Sequence, residues 1–355
     1  MKYITRISLA MLLAVALVPL GGSATAVAQS DDQQTAVRLA FVDVETNAVT
    51  ILDAESGDAT GSFGMPGSGS VYGSSSGRWF YVVHTAQNRV SVIDSGLSVE
   101  DHGDHQDLEI GAPYVRGTIV TGRRPIDTWV QNGMATFHND DDGTLAVLDD
   151  ERLEVALDYA EIRGAGTGHN NGLVLGDHVL LSLASAGTVT EYRMDGSVVQ
   201  TFEGCPGTHG WAMAGATAAA GCTDGVMLFT LANGQTTMRK IDNPAGTPMG
   251  TRVSALRANP NNPVMVGNWG AGLAIIRPDT GELQPVELSA APLAFFFTPD
   301  GSRLIVLRPD GAVQALDPAT GRALGSVAAV APYTAAPTGQ PASPRPSLVV
   351  GNGVA

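Results

Sequence analysis

The amino-acid sequence predicts an all-β fold, a seven-bladed β-propeller. Glycine accounts for 43 of the 355 residues, and only 15% of the residues are charged. Short alternating strands separated by turn residues are the dominant pattern, and no long amphipathic helix is indicated. A short strand followed by an acidic or glycine turn recurs seven times, and this repeat sets the number of blades.

The repeated strand aligns on one apolar residue in each copy. Successive copies are 37 to 55 residues apart, and a period of about 40 to 45 residues with several strands per unit is typical of propellers of the WD40/YVTN-like repeat architecture. The aligned residues are Val49, Val90, Leu145, Val189, Val226, Leu273 and Val313.

Each repeat is interpreted as four strands, a to d, and the recurring strand is strand c. The first repeat begins at Arg38 with strand b and has no strand a of its own. We expect residues 346–350 to supply the innermost strand of this first blade, after a linking loop at 331–346, because closure removes an exposed sheet edge. Residues 38–355 then form a single propeller domain. A chain that is cut short at its C-terminus is the alternative.

The first 28 residues have the features of a secretory signal peptide. Lys2 and Arg6 precede an apolar run at 7–20, and small residues at 26 and 28 provide a cleavage site after Ala28. A membrane anchor is the alternative, but the apolar run is short for a membrane span. The sequence therefore predicts a periplasmic or secreted protein with a flexible N-terminus at 29–37.

The acidic balance of the chain limits its partners. The formal net charge is −15, and removal of the signal peptide takes away two basic residues and no acidic one. This charge disfavours nucleic acid and anionic membranes and favours cations. The alternative explanation is that an acidic surface keeps an exported protein soluble.

The repeat also predicts where the seven histidines lie. His84 and His138 end strand b of their blades, and His169 and His209 directly precede strand a. His102 and His105 are placed in a long connection between a strand d at 97–100 and the next strand a. Only His178 falls on the opposite face. Six histidines on one face predict a metal site.

Two groups of residues are the candidate ligands. The loop at 100–107 interleaves His102 and His105 with carboxylates, and imidazole and carboxylate are ligands that zinc accepts. Asp127, His169 and His209 occupy equivalent positions ahead of strand a in three consecutive blades, so they should converge at the channel mouth. The alternatives are a solvated surface loop and local hydrogen bonds to neighbouring blades.

The remaining polar features are less specific. The run at 138–143 resembles a polar turn with a solvated tip, with a weak cation site involving His138 or His84 as the alternative. Cys205 and Cys222 are the only cysteines, and a hairpin should bring them to one end of the fifth blade. An exported chain favours a disulfide between them over thiolate ligation of zinc.

These motifs resemble those of AztD-type zinc metallochaperones, which are exported propellers that deliver zinc to the binding protein of an ABC importer. The resemblance extends over most of residues 78–280. The motifs are residues 99–105, Arg124-Pro125-x-Asp127, His169 ahead of Gly176-Asp177, Cys205-Pro206-x-x-His209-Gly210 and Gly221-Cys222-x-Asp224-Gly225.

The resemblance implies that His102, His105, His169 and His209 bind zinc. Asp127 stands where the family usually has histidine, and this harder donor alters affinity and selectivity. The N-terminal residues 29–33 also lack the histidines associated with the family, so a second metal site there is not expected.

We therefore expect a monomeric, non-enzymatic zinc carrier whose partner is the solute-binding protein of an ABC zinc transporter. In this hypothesis His169 and His209 form the fixed floor of the site, and the loop with His102 and His105 is a gate. No nucleophile or HExxH motif is present in the sequence. The alternatives are a lactonase- or dehydrogenase-like propeller enzyme and an interaction propeller that binds no metal.

Overall fold

The computed structural model describes residues 35–103, 106–164, 166–335 and 345–350 of the chain. Seven antiparallel sheets follow one another along the sequence, and each is one blade of a propeller. The predicted seven-bladed, all-β fold is confirmed. The signal peptide, the cleavage site after Ala28 and His105 lie outside the described residues, so those predictions remain open.

The strands of each blade are numbered in chain order. Blade 1 contains β1 (Arg38–Asp43), β2 (Ala48–Asp53) and β3 (Ala59–Gly64). Blade 2 contains β4 (Ser70–Gly73), β5 (Trp79–His84), β6 (Arg89–Asp94) and β9 (Tyr114–Ile119), with a separate hairpin of β7 (Leu97–Asp101) and β8 (Gln106–Ile110). Blade 3 contains β10 (Pro125–Gln131), β11 (Met134–Asn139), β12 (Thr144–Asp149) and β13 (Ala160–Arg163). Blade 4 contains β14 (Gly172–Leu175), β15 (His178–Leu183), β16 (Thr188–Arg193) and β17 (Val198–Glu203).

The last three blades have the same four-stranded order. Blade 5 contains β18 (His209–Ala214), β19 (Thr217–Cys222), β20 (Gly225–Ala232) and β21 (Gln235–Asp242). Blade 6 contains β22 (Leu256–Arg257), β23 (Met265–Trp269), β24 (Gly272–Arg277) and β25 (Glu282–Val286). Blade 7 contains β26 (Ala294–Phe297), β27 (Leu304–Leu307), β28 (Ala312–Leu316) and β29 (Ala323–Ala328). A 3₁₀ turn, Thr85–Gln87, follows β5, and the helix α1, Asp150–Val155, follows β12.

The first blade has three strands among the described residues, as its sequence predicts. Residues 345–350 are described, and none of them is assigned to a strand. The Arg345 guanidinium instead donates a hydrogen bond to the Leu293 carbonyl, 2.6 Å away, just before the innermost strand of blade 7. Pro346 follows directly and has no N–H to donate to a ladder. Closure by residues 346–350 remains a prediction.

The largest departure from the sequence interpretation is in blade 2. Residues 97–101 are not its strand d; they pair with 106–110 in a hairpin inserted between strand c, β6, and strand d, β9. The hairpin follows Asp94, which pairs with Trp79 at the start of β5, whereas His84 lies at the other end of that strand. The hairpin therefore leaves blade 2 at the end opposite to His84.

Apolar residues packed between adjacent blades hold the ring together. Phe202 of blade 4 makes an edge contact with Phe229 of blade 5, with ring centroids 5.2 Å apart. Tyr81 of blade 2 makes an edge contact with Phe137 of blade 3. Aromatic pairs of this kind stabilise by about 0.5–1.5 kcal/mol beyond their buried area. The blades are therefore rigid supports for the loops at their ends.

No helix in the described part of the chain has the length and apolar character to cross a membrane.

Candidate metal centre

Three side chains that the sequence brings together do meet at one end of the propeller. Asp127 is the third residue of β10, and His209 is the first residue of β18. His169 lies in the loop that leads into β14. These three strands are the innermost strands of blades 3, 5 and 4. The ends of blades 2 and 3 are also joined there, because the Thr85 hydroxyl donates to the Pro125 carbonyl at 2.7 Å.

Irregular strand pairing places two of these residues. The register of β10 against β11 shifts between Pro125 and Thr128, and that of β18 against β19 shifts between His209 and Trp211. A bulge changes the direction of the side chains beside it and is frequent next to functional sites. Both strands are therefore irregularly paired at their first residues, where they carry Asp127 and His209.

The two imidazoles face each other through their Nε2 atoms, which are 3.2 Å apart. The other ring nitrogen of His209, Nδ1, donates a hydrogen bond to the Ser254 carbonyl at 2.6 Å. This bond fixes the proton on Nδ1 and leaves the Nε2 lone pair directed at His169. An imidazole held in this way is ready to bind a cation.

The Ser254 carbonyl is itself held in place by blade 6. The Asn268 side-chain oxygen accepts hydrogen bonds from the backbone N–H groups of Ser254 and Ala255, at 2.8 and 2.6 Å. Gly210, at a φ of +71°, allows the backbone beside His209 to approach, since a Cβ there would lie 2.8 Å from Ser254 backbone atoms. The support of His209 therefore extends through four residues of two blades.

Two carboxylates lie behind His169. Its Nδ1 is 3.0 Å from Asp127 Oδ2 and 3.6 Å from Asp140 Oδ2. One ligand atom from each of Asp127, Asp140 and His169 lies within 4.8 Å of the others, which is close enough for one ion. Asp140 is buried, whereas the His169 side chain is 49% exposed. Solvent therefore reaches the cluster through His169.

His138 is not part of a solvated turn tip, in contrast to the prediction. Its side chain is fully buried, and its Nδ1 lies 3.0 Å from Asp140 Oδ1. Asn139 and Asp140 are also buried, and only Asp141 and Asp142 of this run are exposed. The burial comes from the neighbouring blade: the Thr136 hydroxyl, on the same strand, donates to the Gly172 carbonyl of blade 4. The interior of the cluster therefore includes a third histidine.

Burial and mutual repulsion set the protonation of these groups. Burial raises the pKa of Asp127 to about 6, with a further rise from Asp140 and an opposing effect of His169. Burial lowers the pKa of His209, and it also lowers that of His138. These shifts favour the neutral form of His209 and His138, the form of histidine that binds metal, and ionised Asp127 is costly without a cation.

Two buried atoms of the cluster have no hydrogen-bond partner among the described residues. They are Asp127 Oδ2 and His138 Nε2. Buried polar groups are nearly always satisfied, and the 3.0 Å approach of His169 Nδ1 to Asp127 Oδ2 lacks the alignment of a hydrogen bond. Together with the paired imidazoles, these atoms form a donor set of nitrogen and oxygen that fits zinc.

The distance between the two Nε2 atoms also fits zinc. In a tetrahedral site with zinc–nitrogen bonds of about 2.0–2.1 Å, two ligand nitrogens are about 3.3–3.4 Å apart. The observed 3.2 Å separation of His169 Nε2 and His209 Nε2 is close to that edge. Asp127 lies on the Nδ1 side of His169, 3.0 Å away, where a small adjustment would let it accept from Nδ1 and orient the ring, as carboxylates do for metal-binding histidines in many proteins.

The predicted disulfide between Cys205 and Cys222 is present, with Cα atoms 4.9 Å apart. It joins the loop before β18 to the end of β19. The Thr208 hydroxyl donates to the Cys205 carbonyl at 2.7 Å, and Arg252 donates to the Gly207 carbonyl at 3.0 Å. These bonds fix the loop that carries His209.

The other predicted histidines lie away from this cluster. His102 is on the blade 2 hairpin, where its Nε2 is 3.4 Å from Asp107 and 3.8 Å from Glu100. The prediction that it follows strand d is wrong, because the apolar alternation of residues 97–101 belongs to the inserted hairpin. His84 is buried and contacts Ser91 and Ser68. The buried His178 pairs with Glu191 at the opposite end of its blade.

Comparison with known proteins agrees with the motifs. The chain is 25% identical to the zinc chaperone AztD of Citrobacter koseri over 333 residues, 90% of this chain and 78% of that protein. The predicted resemblance to AztD-type zinc chaperones is confirmed. The structure of apo AztD from Citrobacter koseri superposes with a TM-score of 0.77 at 23% identity, covering 85% of this chain and 84% of that one.

More distant propellers share only the fold. A putative 6-phosphogluconolactonase from Bacteroides fragilis superposes with a TM-score of 0.55 at 16% identity, covering 84% of this chain and 96% of that one. No protein-family model matches the chain.

The sequence pattern does not reveal the residues that support this cluster. The polar run at 138–143 predicts a solvated turn for Asp140, and no motif marks Ser254 or Asn268. Asp140 directly follows the buried end of β11, at the position equivalent to Thr85 in blade 2. The contact of Ser254 with His209 spans 45 residues and depends on how blades 5 and 6 pack.

Proposed function

We propose that this protein is an exported zinc chaperone that captures zinc and passes it to the solute-binding protein of an ABC zinc importer. The observation that carries the proposal is the facing pair of Nε2 atoms in His169 and His209, backed by buried carboxylates. The similarity to the zinc chaperone AztD supports zinc as the cargo. The signal-peptide pattern and the disulfide support a periplasmic or secreted location.

The proposed site binds zinc through His169 and His209, with Asp127 as the carboxylate that holds His169 or, after a side-chain rotation, binds zinc itself. Two coordination positions remain for exchangeable donors such as water or a group of the acceptor protein. A half-exposed His169 allows such exchange. This open arrangement suits a carrier, whereas structural zinc sites are closed by four protein ligands.

We propose that His102, on the blade 2 hairpin, belongs to a second, more exposed capture point, and that His105, three residues further along the sequence, acts with it. The hairpin carries Glu100 and Asp107 beside His102, so it attracts cations. Its position at the other end of blade 2 argues against direct closure over His169 and His209. Zinc collected there must be passed on by diffusion or by exchange.

We further propose that the protein is a monomer without catalytic activity. The polar groups of the cluster are engaged with one another: Asp140 with His138 and His169, and His209 with Ser254. A hydrolytic zinc site needs a general base free to activate water. The cluster has the donors of a binding site and holds its carboxylates behind the imidazoles.

Metal analysis of the purified full-length mature protein tests the assignment. We expect about one tightly bound zinc, with imidazole nitrogen dominating its X-ray absorption spectrum. His169→Ala and His209→Ala should each lose tight binding, whereas His84→Gln, a buried histidine outside the cluster, should retain it. A spectrum with oxygen donors alone, or tight binding that survives both cluster variants, would refute the site.

Transfer is tested separately by mixing the zinc-loaded protein with the apo solute-binding protein encoded by the same host. We expect zinc to reach the acceptor faster than it dissociates from the carrier into a chelator of equal affinity. Transfer limited by spontaneous dissociation would leave a zinc-binding protein but remove the chaperone role. Lactonase turnover in the same preparation would favour the enzyme alternative.

A further inference from the structure

Arg257 is a half-buried cation whose Nε is buried and which has no carboxylate partner among the described residues. Among the described residues, three arginines have a buried Nε that makes no hydrogen bond, namely Arg38, Arg257 and Arg308. Arg38 pairs with Asp53, and Arg308 pairs with Asp310. In the described part of the chain no carboxylate lies within 4.0 Å of the Arg257 guanidinium nitrogens.

The local contacts of Arg257 leave most of its hydrogen-bonding capacity unused. Its Nη1 donates to the Leu256 carbonyl at 2.8 Å, and this is its single hydrogen bond to a described residue. The guanidinium lies over the ring of Phe296, 4.8 Å from the centroid, and 5.8 Å from that of Phe295. The aromatic faces compensate part of the buried charge, but they provide no acceptor for Nε or Nη2.

Arg257 is located in the central channel of the propeller. It lies on β22, the innermost strand of blade 6, and it affects Tyr72 on β4, the innermost strand of blade 2. Burial raises the pKa of the Tyr72 hydroxyl, Asp127 raises it further, and the Arg257 charge opposes this rise. Innermost strands line the channel of a propeller, and this position places Arg257 beside the channel.

A guanidinium with a buried, unpartnered Nε and no carboxylate beside it is costly unless an anion compensates it. We propose that Arg257 binds a small monovalent anion, a halide or a carboxylate, in the central channel. The Nη2 side of the guanidinium, which makes no hydrogen bond to a described residue, supplies the charge-assisted hydrogen bond. This site is independent of the zinc proposal, because it uses none of the proposed zinc ligands.

Chloride-35 NMR on the full-length mature protein tests the site, with sodium chloride as the only added salt. Slow tumbling of bound chloride should broaden its resonance in the wild-type protein, and added acetate should reduce the broadening if carboxylates share the site. Arg257→Met should weaken chloride binding by at least about tenfold, the loss expected for one charge-assisted hydrogen bond. Arg308→Met, in which a paired arginine with the same buried Nε is removed, should leave the broadening unchanged.

A second measurement keeps the proposal testable if Arg257→Met does not fold. Crystals of the wild-type protein grown in sodium bromide should show an anomalous peak beside the Arg257 guanidinium, and Arg257→Lys should retain a weaker peak. Equal broadening in Arg257→Met and wild type, or bromide peaks at exposed side chains alone, would overturn the proposal. Unchanged zinc stoichiometry in Arg257→Met would leave the metal centre intact whatever the result for the anion.

Discussion

His169 and His209 are 40 residues apart in the sequence, yet their Nε2 atoms are 3.2 Å apart. The two residues occupy equivalent places at the starts of innermost strands in blades 4 and 5. Propeller geometry brings such positions together around the channel. Two residues that are one repeat apart in the sequence therefore lie side by side, at the distance of two ligands of one metal ion. A zinc ion placed between them needs little rearrangement of either imidazole.

The first prediction concerns pH. The folded protein binds the Asp127 proton more tightly than the unfolded chain, since the pKa rises from 3.8 to about 6. Stability from this proton is fully present below the ordinary value and is lost as the pH rises through about 6. Zinc favours the ionised carboxylate, so zinc affinity should fall about tenfold per pH unit below about 6.

Asp127→Asn should remove this pH step and lower affinity at pH 7.5 by about 10- to 100-fold, the usual effect of losing a carboxylate that orients a metal-binding histidine. Chelator competition between pH 5 and 7.5 measures both effects. Asp141→Asn, an exposed neighbour of Asp140, is the matched control and should behave as wild type. An unchanged slope in Asp127→Asn would contradict the assignment of this carboxylate.

The second prediction concerns the support of His209. Asn268→Ala removes the acceptor that fixes the Ser254 and Ala255 backbone, so the Ser254 carbonyl loses its position against His209 Nδ1. Zinc affinity should drop by about 10- to 100-fold. The control is Asn262→Ala, because Asn262 accepts from the Val264 N–H in a similar turn far from the metal. Equal zinc affinities in the two variants would show that His209 does not depend on this support.

The third prediction concerns the disulfide. Cys205 and Cys222 close a segment with a sequence separation of 17, and the chain-entropy model gives about 3 kcal/mol of stabilisation for such a loop. Cys205→Ala/Cys222→Ala should therefore lower the free energy of unfolding by about this amount and should also weaken zinc binding, because the loop carries His209. Denaturant unfolding and zinc titration measure the two effects, with reduced wild-type protein as the control. Unaltered stability after reduction would contradict the prediction.

The fourth prediction separates the hairpin from the cluster. His102→Ala/His105→Ala should retain the tight zinc site and lose a weaker second binding event in calorimetry at high zinc concentration. Gln106→Ala, a neighbouring polar change on the same hairpin, should keep both events. Loss of tight binding in the double variant would show that the hairpin reaches His169 and His209, as the gate hypothesis requires.

The sequence was sufficient for the repeat, the disulfide and the meeting of Asp127, His169 and His209, because a periodic fold converts spacing into position. It was not sufficient for residues 97–101. Their alternating pattern is equally compatible with an outer blade strand and with an independent hairpin, and pairing with 106–110 decides between them. The burial of His138 was also missed, since it depends on the adjacent blade and not on the local polar run.

Asp127, His169, His209 and Ser254 each belong to a different repeat, and this has a mechanical consequence. A bound ion would link blades 3, 4 and 5 through Asp127, His169 and His209. It would also link blade 6, because His209 is hydrogen-bonded to the Ser254 carbonyl. The metal site is then a property of the ring and of no single repeat. Loss of blade 6 would leave Asp127, His169 and His209 in the chain and still remove the Ser254 carbonyl that orients His209. Removal of the ion should therefore destabilise the interfaces between blades 3, 4, 5 and 6 more than the other interfaces between blades.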